Sequence, residues 1–258
     1  MGINVKSQIM QKLYETEEAH QVKILLAIES GSRGWGFAAE NADYDCRFIY
    51  VHKKDWYLSV LDKQEFIEYP VDEVFDIKGY DITRALKYIM KPQAVMHEYL
   101  SSNEVYICNK TIVGKLQTLA ADFFNPIPIS YHYLGLAKKT LGEIKAADTA
   151  KIKKYFYVLR PIANLNFIWQ YRKMPYMEYW RTLEAIEMAP EITTAINQLT
   201  ELKMSSKEHD KVSQVGLLVN YFETEIAKFD GGLKDMIHSK NRNYEPVDET
   251  FRYILENI

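Results

Sequence analysis

The sequence predicts an α+β chain, with a mixed-sheet half and its flanking helices over residues 1–120 and an all-helical half over 121–258. Three observations carry this. Short apolar runs rich in β-branched and aromatic residues, Val22–Ile28, Tyr44–Val51 and Val105–Ile107, fall only in the first half. Beyond Lys110 every apolar pattern has helical spacing. Between the halves stands Asn125-Pro-Ile-Pro, the clearest breaker in the chain and the expected hinge.

Taken in order, residues 3–20 place Val5, Ile9 and Leu13 on one face, an amphipathic helix that covers a core. Val22–Ile28 is a continuous apolar run and reads as a buried strand. Gly34-Trp35-Gly36-Phe37 is too rich in glycine for more than a turn or two of helix. Tyr44–Val51 is the second strand, and Lys53–Ser59 a loop or short helix. Glu65–Tyr69 and Glu73–Ile77 are short alternating segments split by Pro70, which suits a sheet edge. Asp81 is placed to cap a helix over Ile82–Met90, with Pro92 after it. Gln93–Leu100 forms a further helical turn or two. The helical half then runs as Thr111–Phe123, Ile129–Ala147, Lys151–Arg172, Met177–Glu187, Glu191–Met204, Lys211–Phe229 and Pro246–Ile258.

Composition narrows the classes. A hydrophobic fraction of 47% with 26% charged residues is that of an ordinary globular protein. The net charge of −3 gives no global attraction to nucleic acid, so any such contact needs a local basic patch. Cys46 and Cys108 form no ligand pattern and read as free thiols in a reducing, cytoplasmic setting. The six histidines lack zinc spacing, and His132 between two tyrosines reads as a satisfied core group. No secretory leader and no membrane-length apolar run are found.

The chemistry concentrates in Glu29–Tyr50, ESGSRGWGFAAENADYDCRFIY. Gly31 and Ser32 follow a buried strand and offer backbone N–H groups and a hydroxyl, a cradle for phosphate. Asp43 and Asp45 open the next strand two residues apart, so they share a face. Two adjacent acids repel, and a divalent cation relieves that cost; Mg²⁺ prefers such oxygen ligands together with substrate phosphates. A phosphate cradle beside a metal pair suggests phosphoryl or nucleotidyl transfer. Arg33 either contacts a phosphate or pairs with an acid to set the loop. Arg47 lies on the face of Asp43 and Asp45, and either neutralises them or solvates an edge. Gly34 and Gly36 allow close packing or positive φ, and Trp35 reads as a packing plug. No Walker A loop occurs. A haloacid-dehalogenase phosphatase would place its strand before the acids, and a glycosyltransferase would leave the Gly-Ser turn unexplained.

Gly31-Ser32 followed by Asp43-x-Asp45 resembles the active-site motif of the DNA polymerase beta-like nucleotidyltransferase superfamily. The longer string GSRGWGF…ADYDCRFIY resembles its branch of predicted nucleotidyltransferases associated with RNA repair pathways, the RlaP or YcgL-like family. The likeness continues through Asp76–Leu86, Met90–Tyr106 and Lys154–Trp169, and is thinnest after Trp180. It implies a polymerase-beta-like mixed sheet as catalytic domain, 1–120, and a helical substrate- and nucleotide-binding domain, 121–258.

It also implies Mg²⁺-dependent transfer of a nucleoside monophosphate from a nucleoside triphosphate to an acceptor hydroxyl, with two Mg²⁺ ions or Mn²⁺ in their place. A third carboxylate on a neighbouring strand is part of that implication. Asp76, an acid flanked by apolar residues in Val74-Phe75-Asp76-Ile77, is favoured over Asp72 and Asp81. Lys153, Lys154, Tyr157 and Arg160 form a basic and aromatic stripe at helical spacing, by itself an ordinary solvated face. The match to the family's KKYFYxLRP pattern makes Lys154, Tyr157 and Arg160 nucleotide contacts instead. Pro161 would kink or restart that helix, and Asn164 and Asn166 are further polar candidates. An RNA end is the acceptor the family association suggests; protein and small-molecule acceptors stay open, as does a nucleotide-binding regulator without turnover.

Overall fold

The computed structural model describes residues 5–39, 41–70, 74–205, 210–237 and 243–258. In chain order the elements are α1 (Val5–His20), β1 (Val22–Glu29), α2 (Gly31–Trp35), β2 (Tyr44–His52), α3 (Lys54–Tyr57), β3 (Phe66–Glu68), β4 (Phe75–Asp81), α4 (Ile82–Met90), α5 (Ala94–Leu100) and β5 (Val105–Cys108). There follow α6 (Lys110–Asp122), α7 (Pro126–Lys145), β6 (Thr149–Lys151), α8 (Ile152–Tyr171), α9 (Tyr179–Glu184), α10 (Pro190–Met204), β7 (Lys211–Ser213), α11 (Gly216–Gly232) and α12 (Glu245–Glu256). The fold is α+β, with one five-stranded mixed sheet and a large helical part. Among the described residues no helix is long and apolar enough to cross a membrane.

The chain forms two compact units. The first comprises Met1–Gly34, Asp43–Phe124 and Asn241–Ile258, and the second Trp35–Ala42 and Asn125–Lys240. A single cut near residue 120 therefore describes only one of the crossings: the segment after the Gly-Ser turn goes with the helical unit, and α12 goes with the sheet unit.

The sheet of the first unit has strand order β3-β4-β2-β1-β5. β2 runs antiparallel to β1 and parallel to β4, and β3 and β5 close the two edges antiparallel. Strand alternation sorts β2 into two sets. Cys46, Phe48 and Tyr50 join Ile9 and Leu13 of α1, Val22, Ile24 and Ala27 of β1, and Ile77 of β4 in one apolar cluster. Asp45 and Arg47 point to the other side. Gly79 of β4 stands opposite Phe48, and a Cβ there would lie 2.2 Å from the Phe48 ring, so only glycine fits beneath that side chain. Asp81 caps α4 as its position predicts: one oxygen accepts from Thr83 N–H at 2.8 Å, and the other from Tyr57 O–H at 2.7 Å.

In the second unit α7, α8, α10 and α11 pack around Leu141, Ile144, Tyr155, Phe156, Leu159, Ile196 and Phe222. Asn125-Pro-Ile-Pro breaks the chain between α6 and α7, where the two units meet in sequence, and also starts α7: the Asn125 side chain accepts from Ile127 N–H at 3.0 Å, and Pro126 takes the first helical position, where a missing N–H costs nothing. Two expectations change here. Pro161 neither breaks nor restarts α8, which continues to Tyr171. Lys211–Ser213 is a strand, not the start of a helix, and pairs with Thr149–Lys151 as a two-stranded ribbon. A three-residue strand whose partner is distant in sequence has no local period to reveal it.

Candidate active site

The site begins where β1 ends. Glu29 is 4% exposed, and its carboxylate accepts from the Asp45 backbone N–H at 2.9 Å and from the Tyr106 hydroxyl. Burial pushes the Glu29 carboxyl up, against the pull of those two donors. Ser30 N–H in turn donates to the Asp45 carbonyl at 2.8 Å. The backbone of Asp45 is thus held through both its N–H and its C=O by the two residues that precede the Gly-Ser turn.

Gly31 has φ +56°, and a Cβ there would lie 1.7 Å from Asp45 Oδ2. Two constraints therefore select glycine: left-handed backbone, and a carboxylate lying against its Cα. The Gly-Ser turn and the Asp-x-Asp motif are in contact. Ser32 follows half-buried in the first turn of α2. Arg33 donates to the Asp43 carbonyl at 3.1 Å, and its guanidinium lies 3.9 Å from the centre of the Tyr44 ring, so it helps set the loop.

Parallel pairing brings Asp76 beside Asp45. Asp45 and Asp76 are register partners on β2 and β4, so their side chains stand side by side on one face. Arg47, two residues along the same strand, spans them: Nη2 donates to Asp45 Oδ1 at 3.1 Å and to Asp76 Oδ2 at 2.6 Å. Nη1 donates to the carbonyls of Asp76 at 2.7 Å and Cys46 at 3.1 Å. Arg47 neutralises the acids, as one of the two sequence readings had it. Burial, then the charges of Asp43 and Asp76, raise the Asp45 carboxyl to about 6, against the opposing pull of Arg47. Asp43 lies just before β2, exposed, and acts on Asp45 through its charge.

Of the alternatives for the third acid, Asp81 is fully buried and engaged as a cap, and Asp72 lies outside the described residues. Among the described residues no three His, Cys, Asp or Glu side chains are gathered to hold a metal ion as they stand. The donor chemistry suits a hard divalent cation in kind: the carboxylates of Asp45 and Asp76 stand side by side in register, with Asp43 two residues before Asp45.

The remaining predicted residues lie on α8 in the helical unit. Lys154 forms an ion pair with Glu143 at 3.0 Å. Tyr157 is partly exposed, with its ring edge-on to Trp35 at 5.8 Å. Arg160 is 6% exposed, and its guanidinium sits 4.0 Å from the Trp35 ring centre and 6.0 Å from that of Tyr133. Trp35 therefore packs as a plug. Asn166 bonds Glu225 at 2.6 Å, and the buried Asn164 amide has no hydrogen-bond partner.

Glu29 and Tyr106 received no role from the sequence. The signal was present, since Glu29 is an acid closing a run that is apolar from Ile24 to Ile28, but its partner on β5 is known only once the sheet is paired.

The chain is similar to known proteins over nearly its whole length. A Bacillus subtilis (strain 168) protein, YcgL, is 33% identical over 254 residues, covering 98% of this chain and 96% of the relative. A crystal structure of a nucleotidyltransferase-like protein from Exiguobacterium sibiricum 255-15 aligns over 99% of this chain and 81% of its own, at 8% identity and a TM-score of 0.33. Residues 5–253 match the family described as RlaP, and the chain belongs to this RNA repair pathway DNA polymerase beta family.

Proposed function

We propose that this chain is a Mg²⁺-dependent nucleotidyltransferase that moves a nucleoside monophosphate from a nucleoside triphosphate to an acceptor hydroxyl, with an RNA end as acceptor. The observation that carries the reading is the contact of the Asp45 carboxylate with Gly31, on a strand that also sets Asp76 beside it. Asp43, Asp45 and Asp76 would hold Mg²⁺, or Mn²⁺ in its place. When bound, the ions supply neutralisation of phosphate charge and a lowered pKa for the attacking hydroxyl.

The chain's own groups do the rest. The Gly31–Ser32 backbone N–H groups and the Ser32 hydroxyl bind phosphate oxygens, while the bare Cα of Gly31 lets the Asp45 carboxylate lie against the turn. Glu29, Ser30 and Arg33 keep the strand entry fixed, so that Asp45 is presented without reorganisation. Asp76 orients the acceptor hydroxyl and takes its proton. The acceptor oxygen bonds to the α-phosphorus, the bond to the bridging oxygen breaks, and pyrophosphate leaves with the electron pair. Lys154, Tyr157 and Arg160 are a separate part of the reading, as contacts to the nucleotide.

A nucleotide-binding regulator without turnover is favoured by one feature, the Arg47 bridge that already satisfies two of the acids. Incubation with α-labelled nucleoside triphosphates, Mg²⁺ and total RNA separates the two. Label transferred to RNA, and lost in Asp45→Asn, supports the transferase. Label on protein or on a small molecule changes the acceptor, and tight binding with no pyrophosphate released supports the regulator.

A further inference from the structure

We infer that Arg47 is a built-in counter-ion whose guanidinium competes with a divalent cation for Asp45 and Asp76, so that metal binding is antagonised by a residue of the same strand. The inference rests on the metal reading above and adds its regulation.

The geometry is that of a cation shared by two anions. One nitrogen of Arg47 takes one oxygen from each carboxylate, at 3.1 and 2.6 Å, while the other nitrogen is tied to two backbone carbonyls. The side chain is 14% exposed, so its charge is poorly screened. Parallel register fixes the two acids side by side, and the Arg47 charge that bridges them offsets their repulsion. A divalent ion on these carboxylates meets one of two situations. Either the fork lets go, and its hydrogen bonds are lost, or it stays, and a dication sits next to a guanidinium. Both routes weaken binding, so the sign of the coupling does not depend on which is taken. Arginine suits the task because its planar fork reaches two carboxylates and two carbonyls at once, which a lysine ammonium cannot do.

The test uses the full chain with Mn²⁺ or Mg²⁺ alone and no nucleotide. It compares wild type, Arg47→Gln, Arg47→Lys and Asp45→Asn by Mn²⁺ paramagnetic resonance titration and by the Mg²⁺-induced shift in melting temperature. Arg47→Gln should melt lower than wild type in chelator, bind Mn²⁺ on the order of tenfold tighter, the scale of one partly buried charge contact, and gain more from Mg²⁺. Arg47→Lys, which keeps the charge but not the fork, should fall between and serves if the glutamine variant does not fold. If Asp45→Asn loses Mn²⁺ while both Arg47 variants bind it no tighter than wild type, the competition is overturned and the metal site stands. If wild type and all variants show the same absence of Mn²⁺ binding, the metal reading itself fails and takes the inference with it.

Discussion

Two arginines, Arg47 partly buried in one unit and Arg160 buried in the other, show how little the residue type alone determines. Arg47 in the sheet unit is satisfied edge-on, its nitrogens donating to two carboxylates and two carbonyls. Arg160 in the helical unit is covered face-on, its guanidinium over the Trp35 ring with Tyr133 beyond. The contacts of Arg47 use the hydrogen-bonding rim of the guanidinium, and the contact of Arg160 with Trp35 uses its weakly hydrated plane. Arg47 thereby sets its charge against two carboxylates of the candidate site.

The largest effect that would sharpen this contrast comes from Asp45→Asn. Transfer activity should fall by more than about a hundredfold, because one carboxylate of the metal set becomes a neutral amide. Stability should move the other way. The Asp45 carboxyl is raised to about 6 from an ordinary 3.8, so below pH 3.8 it is protonated in both folded and unfolded chains and costs nothing. As pH rises from there through 6 the unfolded chain ionises first, and the fold loses on the order of 3 kcal/mol. The variant should therefore melt higher than wild type above pH 6 and equal to it near pH 3.5. A lower melting temperature at pH 7.5 with activity retained would make the acids structural.

Gly31→Ala comes next. With φ +56° and Asp45 Oδ2 in the way of the new methyl group, the variant should lose roughly 2–4 kcal/mol in urea unfolding and most of its activity. Wild-type behaviour would mean that the turn has room to spare and does not grip Asp45.

The helical unit should respond less. Arg160→Lys keeps the charge and gives up the planar face over Trp35, with an expected cost of about 1–2 kcal/mol. An unchanged melt would remove the distinction between rim and plane. Smallest is Lys154→Ala, which breaks a half-exposed pair with Glu143 and should change stability by less than about 0.5 kcal/mol. If this lysine binds nucleotide, the apparent KM for the triphosphate rises in steady-state assays at unchanged melting temperature; an unaltered KM excludes it.

Part of the candidate site's geometry was legible in the chain itself: a glycine where the backbone turns at a strand end, and an aspartate, Asp81, placed to cap a helix. That Asp76 stands beside Asp45 depends on strand pairing, and Asp43 lies just before β2 rather than on it. The identity of Arg33 left two roles open, phosphate contact or pairing with an acid; the structure gives it a bond to the Asp43 backbone carbonyl and a contact with the Tyr44 ring. Less legible was everything that depends on a distant partner. Glu29 holds Asp45 together with Tyr106 of β5, and the 149–151 and 211–213 segments find each other only in the folded chain.

By itself the sequence determined a strand-bearing half, a helical half, and a glycine-serine turn followed by paired acids, because periodicity and turn chemistry are written in neighbouring residues. Tertiary structure alone decided that α12 joins the sheet unit, that Arg160 is roofed by indole, and that Arg47 bridges Asp45 and Asp76. The physical reason is that a residue's spacing says which face is buried or charged, whereas the group it meets there depends on strand order and register, which are set by the packing of the whole sheet.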